Sequence, residues 1–422
     1  MGVVTHELSK FRASRFGMNA TWMLVGQGAS VVLQAAYFTI LARMLNPSEY
    51  GVYVGAFAFT NLASQYSALG SGTIFLRYVS GHREGFAVYW GNILVITFTV
   101  GGLLVVLLSL VGRFVINPES ARLVGLAGVA NCICAQLSVD TGRVFQAFER
   151  MRVTAILNML TNLVRAVAAG AMLVFLPRVN AFQWSLMSTA VSALAAAAAI
   201  GCATMFFGRP RIWPIMFPKH GLEGLGHSIA GSTSSMYNDL DKTMLSHYGM
   251  NHANGIYTVA YRVIDIATIP VFSVRDAAMP KFFVCGRAGV AATALLAGRL
   301  MKRTVPIGAV LALGAFLIAP LLPHILGRNF QDSVAALRWL SLIPLFRSIH
   351  QIAGSAMTGA GMQRYRTSSQ LGAAGLNFAL NLYLIPSFGW LGAAWASLAT
   401  DATLAAVNVA ALQCCIRRSA PR

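Results

Sequence analysis

Apolar residues along this chain gather into about a dozen long blocks, each closed by a short polar turn. Ile93–Val111, Leu186–Phe207 and Val305–Leu322 are examples. A helix that spans a bilayer needs about 20 mostly apolar residues, and these blocks meet that length. A buried soluble core does not repeat so regularly at such a length. The pattern predicts helices over residues 18–42, 52–76, 86–112, 121–145, 153–176, 184–206, 228–248, 255–280, 304–323, 334–357, 367–386 and 391–413. The expected fold class is therefore all-α, a polytopic membrane protein of about twelve transmembrane helices. An even number of spans leaves both termini on one side.

Composition agrees. Of 422 residues, 56% are hydrophobic and 11% charged, where a soluble protein carries about a quarter charged. Met1–Phe16 is basic, but the apolar run that follows, 18–41, is too long for a signal core and lacks a small-x-small cleavage site. It reads as a retained first span.

The net charge of +19 would point to nucleic acid in a soluble protein. Here its placement gives it another meaning. Lys10, Arg12, Arg15, Arg77, Arg83, Arg143, Arg150, Arg152, Arg209, Arg211, Lys219, Lys281, Arg287, Arg299, Lys302, Arg303, Arg364, Arg366, Arg417, Arg418 and Arg422 fall in one alternate set of connectors. The other set holds little beyond Arg43, Arg113, Arg178 and Arg328. The positive-inside rule then puts both termini in the cytoplasm, and no nucleic-acid partner is expected. Cysteines Cys132, Cys134, Cys202, Cys285, Cys414 and Cys415 lie mostly inside apolar blocks, where they act as small hydrophobes. No metal or cofactor is expected, and Cys414–Cys415 at a span end is a weak acylation signal.

The longest polar stretch, Gly208–His227, carries Pro210, Pro214 and Pro218 beside Trp213 and Phe217, which suits a cytoplasmic interfacial linker with aromatic anchors. It divides the chain into 1–207 and 228–422, a six-helix lobe on each side of a 208–227 linker. The halves echo each other. Tyr50-Gly-Val-Tyr-Val-Gly-Ala-Phe opens the second span and Asn254-Gly-Ile-Tyr-Thr-Val-Ala-Tyr the eighth; at the same offset Arg77-Tyr-Val meets Lys281-Phe-Phe. Phe175-Leu-Pro and Leu384-Ile-Pro close the fifth and eleventh. Two six-helix repeats are a common transporter plan.

The same residues carry a family likeness. Ala42-Arg-Met-Leu-Asn-Pro-Ser-Glu-Tyr-Gly-Val-Tyr resembles the signature of bacterial polysaccharide-export flippases of the Wzx type. Asp241-Lys-Thr-Met-Leu with Ala253-Asn-Gly-Ile-Tyr-Thr-Val-Ala-Tyr-Arg resembles that family's second-half signature, as does the run Asn377, Asn381, Pro386, Gly389, Gly392. The likeness covers nearly the whole chain. It implies the multidrug/oligosaccharidyl-lipid/polysaccharide exporter superfamily: two pseudo-symmetric six-helix lobes around a central cavity, working by alternating access in a bacterial inner membrane. The implied partner is an undecaprenyl-pyrophosphate-linked oligosaccharide, moved from the cytoplasmic to the periplasmic leaflet. A polysaccharide polymerase and chain-length machinery are further expected partners. Lipid II flippases usually carry additional spans, so that branch is the less expected one.

Ionisable side chains inside spans are costly and usually face a cavity or a partner. The seventh span holds Asp239, Asp241 and Lys242; the eighth Arg262, Asp265, Arg275 and Asp276; elsewhere lie Asp140, Arg165, Arg338, Arg347, His350 and Asp401. The functional expectation is that Arg262, Arg165, Lys242 and Arg347 attract pyrophosphate and anionic sugars, since a guanidinium matches phosphate oxygens in pairs. Asp241, Asp239 and Asp265 would bind a coupling proton or cation. Against it stands a bland reading: Asp239–Lys242 and Arg262–Asp265, both i to i+3, neutralise each other within a helix. Arg275, Asp276 and Arg338 lie near span ends, where snorkelling is expected. Tyr37, Tyr66, Trp184 and Trp395 are expected at the membrane interface, and Pro270 is expected to kink the eighth span. No nucleophile triad, phosphate loop or large extramembrane loop points to an enzyme. The competing functions are a drug/cation antiporter of the same superfamily and a membrane polymerase or ligase.

Overall fold

A computed structural model describes residues 26, 28–80, 83–212 and 216–419, all-α throughout, with no strand among them. The expectations resting on Met1–Phe16, Trp213, Pro214 and Arg422 lie outside the described residues, as do those on the side chains of Arg83, Phe217, Pro218, Lys219, Cys415, Arg417 and Arg418.

The helices are α1 (Gly28–Met44), α2 (Pro47–Ser64), α3 (Ser71–Val79) and α4 (Phe86–Val115); α5 (Val124–Ala147), α6 (Met151–Phe175), α7 (Ala181–Phe207) and α8 (Met216–His247); then α9 (Asn251–Gly286), α10 (Val290–Ile318), α11 (Ser333–Leu340), α12 (Ile343–Gly359), α13 (Gln363–Phe388) and α14 (Trp390–Ser419). Local chemistry sets their ends. Asn180 caps α7 by accepting the Gln183 N–H at 2.9 Å, and Gln183 returns the bond to the Asn180 N–H at 3.1 Å, a capping box. Pro177 stands just past the last turn of α6, where it cannot continue the helix.

Eight of these helices are long and apolar enough to cross a membrane: α4, α5, α6, α7, α9, α10 with its extension to Leu326, α13 and α14. The rest of the expected spans differ for physical reasons. The expected 52–76 helix is broken into α2 and α3 at Leu69–Gly70, both at positive φ. A side chain on Gly70 would sit 2.3 Å from the Gly224 carbonyl oxygen, so the chain needs glycine there twice over. The expected 334–357 helix is split into α11 and α12 at Ser341–Leu342, with Pro344 opening the second piece. Within α5 the backbone widens into a π-helix over Val129–Ala135. Helix α8 starts at Met216, inside the stretch expected as a linker, and is rich in Gly, Ser and charged residues rather than apolar. Helix α9 runs unbroken through Pro270 and Pro280.

The chain forms two compact units. One comprises Met1–Leu45 and Phe59–Ser232, the other Asn46–Ala58 and Thr233–Arg422. The first five residues of the expected second lobe, 228–232, thus fall in the first unit, and the opening turns of α2 fall in the second.

In the first unit, Phe75, Phe86, Trp90, Phe145 and Phe207 from α3, α4, α5 and α7 form the centre of an aromatic core. Arg150 lies over the Phe206 ring at 4.7 Å and closes its end. The polar connector after α7 is held by an Arg211 N–H bond to the Ala87 carbonyl at 2.7 Å. Glu223 of α8 takes hydrogen bonds from Arg77 and Tyr78. Desolvation pushes its carboxyl up, but those bonds and the charges of Arg77 and His227 together outweigh it and hold the carboxyl below the usual range. Trp184, expected at the interface, is fully buried and packs 5.7 Å from the Tyr37 ring, because the short α1 crosses it. On α4, Phe98, Leu103, Val106, Leu107 and Leu110 are exposed, an apolar surface suited to acyl chains.

In the second unit, Phe282, Ile352, Met357 and Leu412 join α9, α10, α12 and α14 in one core. The opening of α2 packs on α9 with almost no space: a side chain on Gly51 would meet the Asn251 carbonyl oxygen at 1.8 Å, and one on Gly255 that of Pro47 at 1.9 Å. The two signature segments therefore lie against each other, glycine to backbone.

Candidate functional site

Most of the ionisable groups singled out in the sequence converge inside the second unit. Helix α9 supplies Tyr257, Tyr261, Arg262 and Asp265; α8 supplies Asp239, Asp241 and Lys242; α12 supplies Arg347 and His350; α14 supplies Ser397 and Asp401. Tyr257, Tyr261 and Asp265 fall at four-residue intervals, so they line one face of α9.

At the centre is Arg347, whose side chain is 4% exposed. It donates to the Tyr261 hydroxyl at 2.7 Å and to Asp265 at 3.1 Å. Its Nε stands 3.8 Å from Asp401, which is fully buried and also 3.1 Å from His350 Nε2. One step away, Lys242 lies 4.5 Å over the Tyr261 ring. It pairs with Asp241 at 3.3 Å and Asp239 at 3.6 Å and donates to the Asn238 carbonyl. Asp241 is itself buried; it accepts from the Tyr257 hydroxyl, from Ser397 at 3.4 Å and from the Lys242 N–H at 2.7 Å. Tyr261 thus joins the two cations into one network. Buried charges of this kind persist only when paired and hydrogen-bonded.

Arg262 differs from the other two cations. Its side chain is 47% exposed and stands 3.9 Å from Asp265, itself 39% exposed. Both i to i+3 pairings expected from the sequence are present. Each of Arg262, Lys242 and Arg347 has a carboxylate within 4 Å, so the network carries no excess of positive charge. Only Arg262 presents much of its guanidinium outward.

Beside this network opens a cavity of about 130 Å³, lined among others by Asn238, Asp265, Phe272, Arg347, His350 and Arg366. Thr233, Gln351, Gln370 and Asn408 add further polar side chains to its lining, beside the apolar Phe272 and Leu404.

Arg165 belongs to the first unit and takes no part in the network. It donates to Ser192 at 2.9 Å, and its buried Nε has no hydrogen-bond partner among the described residues. Arg275 reaches Gln351 at 3.1 Å and Asp276 at 2.8 Å; Asp276 is largely exposed, as expected near a span end. Sequence reasoning counted His350 and Asp401 among the ionisable groups inside spans without assigning either a role, and it passed over Tyr257, Tyr261 and Ser397. The signal for Asp401 was present, a lone carboxylate inside an apolar block. The tyrosines stood in the second-half signature four residues apart.

A family model described as polysaccharide biosynthesis protein matches residues 16–284. No curated protein matches the chain by sequence. Among solved structures, the chain is similar to an inward-facing multidrug resistance MATE family transporter of the MOP superfamily, at TM-score 0.71 and 13% identity over 94% of this chain and 100% of that one. It is similar to the lipid II flippase MurJ in an inward closed conformation, at TM-score 0.75 and 11% identity over 93% of this chain and 87% of that one. A MOP superfamily transporter from Pyrococcus furiosus Vc1, reported with reversed polarity of its binding pocket, matches at TM-score 0.61 and 12% identity over 94% of each. At these identities the likeness is one of fold.

Proposed function

This chain belongs to the polysaccharide biosynthesis protein family, and on that premise we propose that it is a flippase for an undecaprenyl-pyrophosphate-linked oligosaccharide. It carries the repeat unit from the cytoplasmic to the periplasmic leaflet of a bacterial inner membrane by alternating access, for exopolysaccharide, capsule or O-antigen. Family membership is the observation that carries the reading. The fold shared with a lipid II flippase supports it, as do the basic connectors, which place both termini in the cytoplasm under the positive-inside rule. Polymerase and chain-length machinery would take the product on the far side.

Within this reading Arg262, half-exposed beside Asp265 and Tyr50, is the cation that meets the pyrophosphate. Lys242 and Arg347 hold the site together and lend it field, and Arg165 is a separate candidate anion contact within the first unit. Asp239, Asp241 and Asp265 are the carboxylates for a coupling ion.

A second reading, a drug/cation antiporter, draws support from the carboxylates Asp239, Asp241, Asp265 and Asp401 gathered in one unit and from the MATE-like fold. One experiment separates the two. Deleting the gene should stop export of one surface polysaccharide and trap its lipid-linked repeat unit on the cytoplasmic face, readable in the extracted undecaprenyl-linked pool. Normal export with no trapped intermediate, together with new drug sensitivity, would favour the antiporter.

A further inference from the structure

We propose that His350 and Asp401 form a proton-binding pair that controls how firmly Arg347 is held, and so couples proton uptake to anion binding in the adjoining cavity. The inference deepens the transport reading by naming how the site is regulated, but its geometry stands apart from any choice of substrate.

Three observations carry it. Asp401 is fully buried between two cation-forming groups, Arg347 Nε at 3.8 Å and His350 Nε2 at 3.1 Å. Of these only histidine can gain or lose its charge near neutral pH. His350 also lines the cavity, as do Arg347 and Asp265, so water in the cavity can deliver a proton to the pair. Finally, Arg347 is shared between the enclosed Asp401 and the half-exposed Asp265. A shared cation is the element that a change at one carboxylate can shift toward the other.

The step is a simple protonation. With neutral His350, Nε2–H donates to Asp401 and the carboxylate keeps its full negative charge facing Arg347. A proton from cavity water adds to the Nδ1 lone pair and makes an imidazolium, still bonded through Nε2–H. Asp401 is then neutralised by His350, and its hold on Arg347 weakens. Arg347, kept in place by Tyr261 and Asp265, turns more of its field on the cavity, where Arg366 also stands. An anion bound there must in return favour the protonated pair, because such coupling is reciprocal.

Charged and polar groups reach the pair from the elements packed on α12. Helix α9 presents Tyr261 and Asp265, with Arg275 on the neighbouring Gln351. Helix α14 presents Asp401, and Asn408, which donates to the His350 carbonyl at 3.3 Å. Helix α13 presents Arg366 to the cavity. On α10 the charged Arg299, Lys302 and Arg303 are exposed.

The test uses the full chain in detergent or nanodiscs and sulfate as probe, an anion whose charge is constant from pH 5 to 9. Sulfate affinity, read by calorimetry, should be at least about fivefold tighter at pH 5.5 than at pH 8, the lower end of ordinary coupling. His350→Gln should keep the bond to Asp401 yet bind weakly at both pH values. Asp401→Asn should bind more tightly than wild type at pH 8 and change little with pH, since only Asp265 then draws on Arg347. A wild-type affinity that does not change with pH overturns the proposal. So does an unchanged pH dependence in either variant; if one fails to fold, the other decides. A flippase reading that fails on the lipid-linked pool leaves this result untouched, and the reverse holds too.

Discussion

Arg262 and Arg347 sit in the same network, and their surroundings give them different tasks. If Arg262 holds pyrophosphate, Arg262→Ala should abolish export at normal membrane abundance, while Arg262→Lys retains part of it, because lysine still binds phosphate as a point charge. The readout is surface polysaccharide per unit of protein in the membrane. An export level in Arg262→Ala equal to wild type would leave only the pairing role. Removing both Arg262 and Asp265 is a blunter test than the sequence suggests, since Asp265 also takes Arg347 at 3.1 Å. Arg347, at 4% exposure, answers to a different measurement. Arg347→Ala leaves the buried Asp401 with His350 as its ion-pair partner and should cost about 3–5 kcal/mol, seen as lost membrane abundance and a lower melting temperature. Arg347→Ala with Asp401→Ala should recover much of that loss. A double variant no more stable than the single would show that Arg347 serves more than charge balance.

At the scale of elements, the crossing of α2 and α9 is among the closest contacts in the second unit. Gly51→Ala would place a methyl 1.8 Å from a backbone oxygen. Backbone cannot swing aside as a flexible side chain can, so the substitution should cost about 1–3 kcal/mol or more. Gly28→Ala on α1, with open space around it, is the matched control. Equal melting temperatures for the two variants would refute the close approach. This crossing was half legible in the sequence. The paired segments Tyr50-Gly-Val-Tyr and Asn254-Gly-Ile-Tyr announced a repeat, but nothing in either showed that each glycine lies against the other segment. The breaks at Leu69–Gly70 and Ser341–Leu342 were hidden for a related reason: hydropathy averages over some twenty residues and passes over a single turn.

For the whole molecule, the topology is testable directly. Reporter fusions at Arg150, Arg211, Arg287 and Arg364 should all report the cytoplasm, because alternate connectors carry nearly all the basic residues. A periplasmic signal at Arg150 or Arg287 would break the twelve-span order. That the chain is helical and membrane-embedded, built from two related halves, follows from the sequence by itself. Length and hydropathy of a segment are local properties, and a bilayer leaves a helix as the simplest way to satisfy its backbone. The positions of the ionisable groups along the spans were equally plain. Which of them meet was not. Arg347 reaches Tyr261 and His350 reaches Asp401 across separations of 86 and 51 residues that no periodicity encodes. Those partners, the exposure that sets Arg262 apart from Arg347, and the assignment of the first turns of α2 to the second unit were decided by tertiary packing alone. Burial and pairing depend on which helix faces lie against each other, and a helix face carries no mark of its neighbour.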